Sequence, residues 1–181
     1  MATFDVSVPA RPVLLATITP GTWGNEVVIQ PRRRLLSFTG LYKFSLVDVT
    51  DPRHPAVLSN TPVQAGKGTM GSAFSPDGNY LVVCQRGMFS VYDVQDARVP
   101  KFLRSYEGCG SENAVFYRGF LLVSGRGAGV GVWRVGRTPS ELTKVQSLPC
   151  YFYNSKFWVE GDRVFTNSEG IDEIRLVNKS P

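Results

Sequence analysis

The sequence of 181 residues has one histidine and three cysteines, and each scarcity removes a class of chemistry. His54 stands alone in the turn Asp51-Pro52-Arg53-His54-Pro55, so it supports neither a histidine-rich metal site nor a nucleophile triad and reads as a solvent-facing turn residue. Cys84, Cys109 and Cys150 are odd in number and widely spaced, which fits neither a disulfide framework nor a zinc pattern and points to a reducing, intracellular location. Cys109 and Cys150 hold matching positions in the sequence pattern, but such positions on neighbouring units lie too far apart for the ~5.5 Å Cα separation of a disulfide. No apolar run reaches the ~18 residues of a membrane-spanning helix. Met1 to Pro9 carries neither a basic start with an apolar block nor an Arg-rich amphipathic pattern, so a soluble protein without membrane insertion is expected. Charge of one sign is only mildly in excess, at a formal +5, which suits an acidic partner without requiring one.

What the chain does have is 43% hydrophobic residues, 12 prolines and 18 glycines, the composition of a turn-rich globular chain, and its length suits a single domain over residues 1–181. A short pattern recurs: apolar, Asp, Val, polar, turn, Pro. It runs through Phe4-Asp5-Val6, Val47-Asp48-Val49 and Tyr92-Asp93-Val94, then through the divergent Trp133-Arg134-Val135 and Arg175-Leu176-Val177. The valines are 43, 45, 41 and 42 residues apart. Pro12, Pro55 and Pro100 each follow six positions after a valine and lead into another β-rich run; proline fixes φ and removes a donor, so these segments close turns between strands.

Upstream of each valine the pattern predicts a hairpin: Val27 to Leu36 around Pro31-Arg32-Arg33-Arg34, Ala73 to Val83 around Ser75-Pro76-Asp77-Gly78-Asn79, Val115 to Val123 around Arg118-Gly119, and Phe157 to Phe165 around Glu160-Gly161-Asp162. Four strands per ~43 residues, without helical periodicity, have the size of a β-propeller blade. On these residues the chain resembles the LVIVD-repeat group of propellers, related in style to WD-type and YVTN-type repeats, with Ser75-Pro76-Asp77-Gly78-Asn79-Tyr80-Leu81 similar to the inter-strand turn many of them carry. The resemblance implies an all-β propeller of about four blades and says little of activity.

Naming the strands of a blade a to d outward from the axis, the sequence places c and d first, then three complete blades, then a, b and c. The expected architecture is a four-blade ring closed by Pro12 to Ile18 beside the C-terminal c strand, since closure removes an exposed edge. Phe4 to Val8 is then one c strand too many, and the alternative is an arc completed by a partner or a second copy.

Side chains from several blades meet at the d-to-a and b-to-c loops. Trp23, Tyr42, Met70, Met88, Tyr151 and Tyr153 are the aromatic and sulfur residues of that face, with Lys67, Arg86 and Arg126 as basic companions. Exposed together, such residues suit a protein partner, acidic where the basic groups steer it, whereas packed between blades they are only core; the function read from the exposed alternative is a non-catalytic interaction scaffold or a structural subunit, with no cofactor. Asn25, Asn113 and Asn154 each fall 19 residues after a repeat valine, and Glu26 and Glu112 lie beside the first two. Glu26, Glu112, Asn113 and Asn154 resemble the Glu and Asn constellation of metal-dependent propeller lactonases, which implies as the alternative a hydrolase holding calcium or another divalent cation at the channel mouth. Arg32-Arg33-Arg34 carries a third reading, a nucleic-acid contact, against that of a solvated turn tip. Gly125 to Gly131 is not a nucleotide loop, because a strand and no helix follows it.

Overall fold

The computed structural model describes residues 1–21, 24–63, 68–107, 112–125, 129–148, 157–161, 163–167 and 171–175. These residues form strands and turns, with no helix among them. The first sheet has two antiparallel strands, β1 (Ala2–Asp5) and β2 (Val13–Thr17). Three four-stranded antiparallel meanders follow. The first holds β3 (Gly24–Gln30), β4 (Leu35–Gly40), β5 (Lys43–Asp48) and β6 (Ala56–Pro62). The second holds β7 (Thr69–Phe74), β8 (Tyr80–Gln85), β9 (Met88–Asp93) and β10 (Lys101–Glu107). The third holds β11 (Asn113–Tyr117), β12 (Phe120–Gly125), β13 (Gly129–Val135) and β14 (Leu142–Leu148). The last sheet has β15 (Phe157–Glu160), β16 (Arg163–Asn167) and β17 (Ile171–Arg175).

The first strands of successive sheets are neighbours, β3 beside β7, β7 beside β11 and β11 beside β15. This radial order is that of propeller blades, and all four predicted hairpins are present. Where the repeat keeps its aspartate, at the ends of β1, β5 and β9, it is an Asx turn. Asp5 accepts the Ser7 N–H at 2.9 Å, Asp48 that of Thr50 at 2.8 Å and Asp93 that of Gln95 at 2.9 Å, which is why an aspartate recurs before the valine.

Ring closure differs from the expectation. Pro12 to Ile18 does not join the C-terminal sheet; β2 pairs with β1, while β17 pairs with β16. Pairing β2 with a strand a few residues away costs far less loop-closure entropy than pairing it across the whole chain. Phe4 is therefore not surplus, because β1 is the third strand of a partial blade of its own. The described residues form an open arc of three complete blades flanked by two partial ones.

The core lies between blades. Leu35, Phe44 and Leu46 of the first complete blade meet Phe74, Leu81 and Tyr92 of the second, with the Phe44 and Tyr92 rings edge to face at 4.9 Å. Val82 and Phe89 of the second meet Leu121 and Trp133 of the third, with the Phe89 and Trp133 rings at 5.2 Å. Polar links complete these joints: Ser37 and Ser72 hydroxyls are 3.1 Å apart, and Tyr106 donates its hydroxyl to Ser140 O at 2.6 Å.

Candidate functional site

Strand register, rather than a fixed sequence offset, aligns the inner strands. Ile29 pairs with Leu36, Phe74 with Leu81 and Phe116 with Leu121, so Glu26, Gly71 and Asn113, each three residues earlier, stand at one level around the axis. The offset of 19 had matched Asn25 with Asn113; the register shift between Gly24 and Glu26 moves that match by one residue. Among the described side chains, the channel wall at this level therefore carries a carboxylate, a glycine and a carboxamide.

Glu26 leans across to the second blade, where its Oε2 accepts the Ser72 N–H at 2.7 Å. Gly71 makes the crossing possible, since a Cβ there would lie 2.5 Å from Glu112 O and 2.7 Å from Glu26 Oε2. Glu26, Glu112 and Asn113 are all half-buried, and Glu112 donates its N–H to Ser124 O at 2.9 Å. Below them the inner strands enclose an open cavity of about 330 Å³, whose polar lining includes Glu26, Gln30, Ser72, Ser75 and Asn113. Asn154, the fourth ligand of the metal reading, lies outside the described residues, as does the side chain of Asn25. Among the described residues no three His, Cys, Asp or Glu groups gather as a metal site.

The loop face is partly assembled. Thr69 donates its N–H to Leu41 O at 2.9 Å and Arg86 donates its N–H to Gly68 O at 3.2 Å, so the Leu41-Tyr42, Gly68 to Met70 and Arg86 segments of two blades share one edge of the channel mouth. Leu41, Tyr42, Met70 and Arg86 are exposed there. Met88 is a correction: it is only 4% exposed, because it begins β9 opposite Gln85 and turns into the interior, so it cannot belong to a docking face. Trp23, Lys67, Arg126, Tyr151 and Tyr153 lie outside the described residues. Leu41 was missed by a search for aromatic, sulfur and basic residues, although it neighbours Tyr42 in the same loop.

The arginine run is also reassigned. Arg33 donates from Nη1 to Gly78 O at 2.6 Å and to Val94 O at 2.8 Å, and from Nη2 to Gln95 O at 2.9 Å. Its guanidinium thus joins the first complete blade to the second. Arg34 has φ of 48° and reaches Thr50 O at 3.4 Å, and both Arg32 and Arg34 stay exposed. His54 is exposed at the rim, as expected, with Nδ1 2.8 Å from Asp51 Oδ2. The hydrogen bond from His54, then that from the Arg53 N–H, holds the Asp51 carboxyl below the ordinary carboxylate range.

Fold and face together define a β-propeller arc with a polar channel wall. No protein-family model matches the chain, and no curated protein does. Solved structures are similar in fold. A Lactobacillus plantarum protein superposes with a TM-score of 0.74 at 19% identity, over 92% of this chain and 57% of its own. The Pseudomonas aeruginosa periplasmic gluconolactonase PpgL gives 0.72 at 15% identity, over 91% and 55%. A β-propeller domain from Myceliophteria thermophila gives 0.61 at 14% identity, over 88% and 54%. This chain thus spans little more than half the length of these structures. Propellers of both enzymatic and WD40 kinds are among the similar folds.

Proposed function

We propose that the chain is a non-catalytic interaction module that docks a protein partner on the loop face at the channel mouth. The observation that carries this reading is the clustering of exposed Leu41, Tyr42, Met70 and Arg86 on segments held together by backbone hydrogen bonds across two blades. Apolar, aromatic and sulfur side chains on a rigid support bury area at low entropic cost, and Arg86 adds steering toward an acidic surface.

The test is affinity purification from the native source with wild-type protein and with Tyr42→Ala/Met70→Ala/Arg86→Ala. A stable partner retained by the wild type and lost by the triple variant is the expected outcome. Equal retention by both removes this face from the function.

A second reading has its own support in Glu26 and Asn113, which register places at one level of the channel wall. Oxygen donors of this kind suit calcium, which would polarise a lactone carbonyl while Glu26 stays oriented by the Ser72 N–H. Stoichiometric calcium together with chelator-sensitive lactone hydrolysis, both lost in Glu26→Gln, would replace the interaction reading with this one.

A further inference from the structure

We propose that the turn face opposite the channel mouth binds the phosphate backbone of a nucleic-acid duplex through its arginines. In an antiparallel meander the a-to-b and c-to-d turns lie at the same end of the blade. Here Val49 donates its N–H to Arg34 O, Val94 to Asn79 O and Val135 to Gly119 O, which ties the two turns together in each complete blade. Six exposed arginines stand on this face: Arg32 and Arg34 in one a-to-b turn, Arg118 in another, and Arg53, Arg98 and Arg137 in the three c-to-d turns. All six belong to the complete blades, so their exposure does not turn on what adjoins the ends of the arc.

Three observations point to phosphate. The first is that the two basic residue types are segregated. The described lysines, Lys43, Lys101 and Lys144, all lie in strands, and the basic residues of these turns are arginines. A guanidinium presents a planar fork that meets phosphate oxygens in pairs, and it is more weakly hydrated than an ammonium. The second is that these cations are not spent inside the fold. Among the described residues none of the six guanidinium groups has a carboxylate within ion-pair distance. The carboxylates of the same turns face their own backbones instead: Asp51 accepts the Arg53 N–H at 2.9 Å, Asp96 the Arg98 N–H at 2.9 Å, Asp77 the Asn79 N–H at 3.1 Å and Glu141 the Arg137 N–H at 3.2 Å. The third is in the backbone. Arg34 and Arg118 hold φ of 48° and 45°, the left-handed region where turns favour Asn or Gly. Arginine is unfavourable there for the turn itself, which leaves its side chain as what the position supplies.

A duplex fits these features better than other polyanions. It carries one negative charge per ~1.7 Å of axis, so cations at two radii, the inner a-to-b turns and the outer c-to-d turns, meet phosphates together. With no helix among the described residues to enter a groove, the face reads the backbone and not the bases, and binding is independent of sequence. Arg33 takes no part, since its guanidinium is held by three carbonyls of the second complete blade. The site is independent of the loop-face reading, because its arginines lie at the opposite end of the blades and leave the channel mouth free.

Fluorescence anisotropy of a labelled DNA duplex of mixed sequence, titrated with the whole chain at several salt concentrations, tests the proposal. The expected dissociation constant is ~10⁻⁶ to 10⁻⁴ M at physiological salt, and log affinity should fall against log salt with a slope of about −4 to −5, near −0.9 for each phosphate met. Arg53→Ala/Arg98→Ala should make the slope shallower by about 2, and Arg32→Ala/Arg118→Ala gives the same reading from the inner turns should the first pair lose its β circular-dichroism spectrum. Arg104→Gln/Lys144→Gln removes equal charge from the outer strands β10 and β14 and should leave the slope unchanged. Absence of binding at ~50 mM salt, a slope unmoved by either arginine pair, or an equal loss in the strand control would overturn the proposal. So would tighter binding of a single strand of the same sequence, or equal binding of polyglutamate or of anionic lipid vesicles, which would make the face a contact for acidic protein or membrane instead.

Discussion

Gly71 shows how much one residue carries in this channel wall. The space a Cβ would need is already filled by Glu112 O, a backbone atom that can yield only if the chain entering β11 moves. Gly71→Ala should therefore destabilise the chain by roughly 1–3 kcal/mol, the usual cost of overpacking a close contact, and release the Glu26 carboxylate from the Ser72 N–H. A urea titration read by fluorescence measures the loss. An unchanged midpoint would mean that the inner strands separate without cost, and the close approach across Gly71 would then have no structural weight.

Among elements, the turns hold the described carboxylates whose ionised form the fold favours. In the a-to-b turn of the second complete blade, the Ser75 hydroxyl donates to Asp77 at 2.5 Å, and Asn79 reaches the same carboxylate through its N–H at 3.1 Å and its amide at 3.0 Å. Gly78 supplies the positive φ of 75° that the turn requires. Burial of the Asp77 carboxyl opposes its ionisation, but the hydrogen bonds from Ser75 and Asn79 outweigh it and leave the group below the ordinary carboxylate range. Asp48 is lowered by the hydroxyl and N–H of Thr50, and Asp5 by the N–H and hydroxyl of Ser7.

With folded pKa values below those of the unfolded chain, the unfolded state takes up protons first as the pH falls. The stabilisation is complete above the ordinary carboxylate pKa of ~4 and is lost as the pH drops through the depressed folded values. Denaturation midpoints should thus be flat from neutral pH to ~5 and fall below ~4. Asp77→Asn, which keeps an accepting oxygen but no titrating charge, should show a shallower fall. A variant curve parallel to wild type would assign the acid sensitivity to other groups.

At the scale of the whole molecule, stability is a matter of joints between blades, because each blade buries its faces only against a neighbour. Arg33 is a polar member of one such joint, and its three hydrogen bonds end on carbonyls of the second complete blade. Arg33→Met keeps much of the stem but orphans these acceptors, so a loss of about 1–3 kcal/mol is expected. Hydrogen exchange should show the loss as faster opening around Gly78 and Val94 than within the third complete blade. Uniform acceleration throughout would mean that the blades open as one unit and that Arg33 does not couple a particular pair.

The sequence alone determined what is local. Alternation set the strands, the Ser75 to Asn79 turn and the Asp-Val repeat set their ends, and the recurrence of the valines set the blade as the unit, because each of these depends on residues close in the chain. Register across strands was not local, so the true equivalence of Glu26 with Asn113, the inward turn of Met88 and the bridging role of Arg33 emerged only with neighbouring blades in place. Tertiary structure alone decided between a ring and an arc. Closure depends on the angle at which rigid blades stack and on which edge β2 finds first, and neither quantity is written in the identity of any single residue.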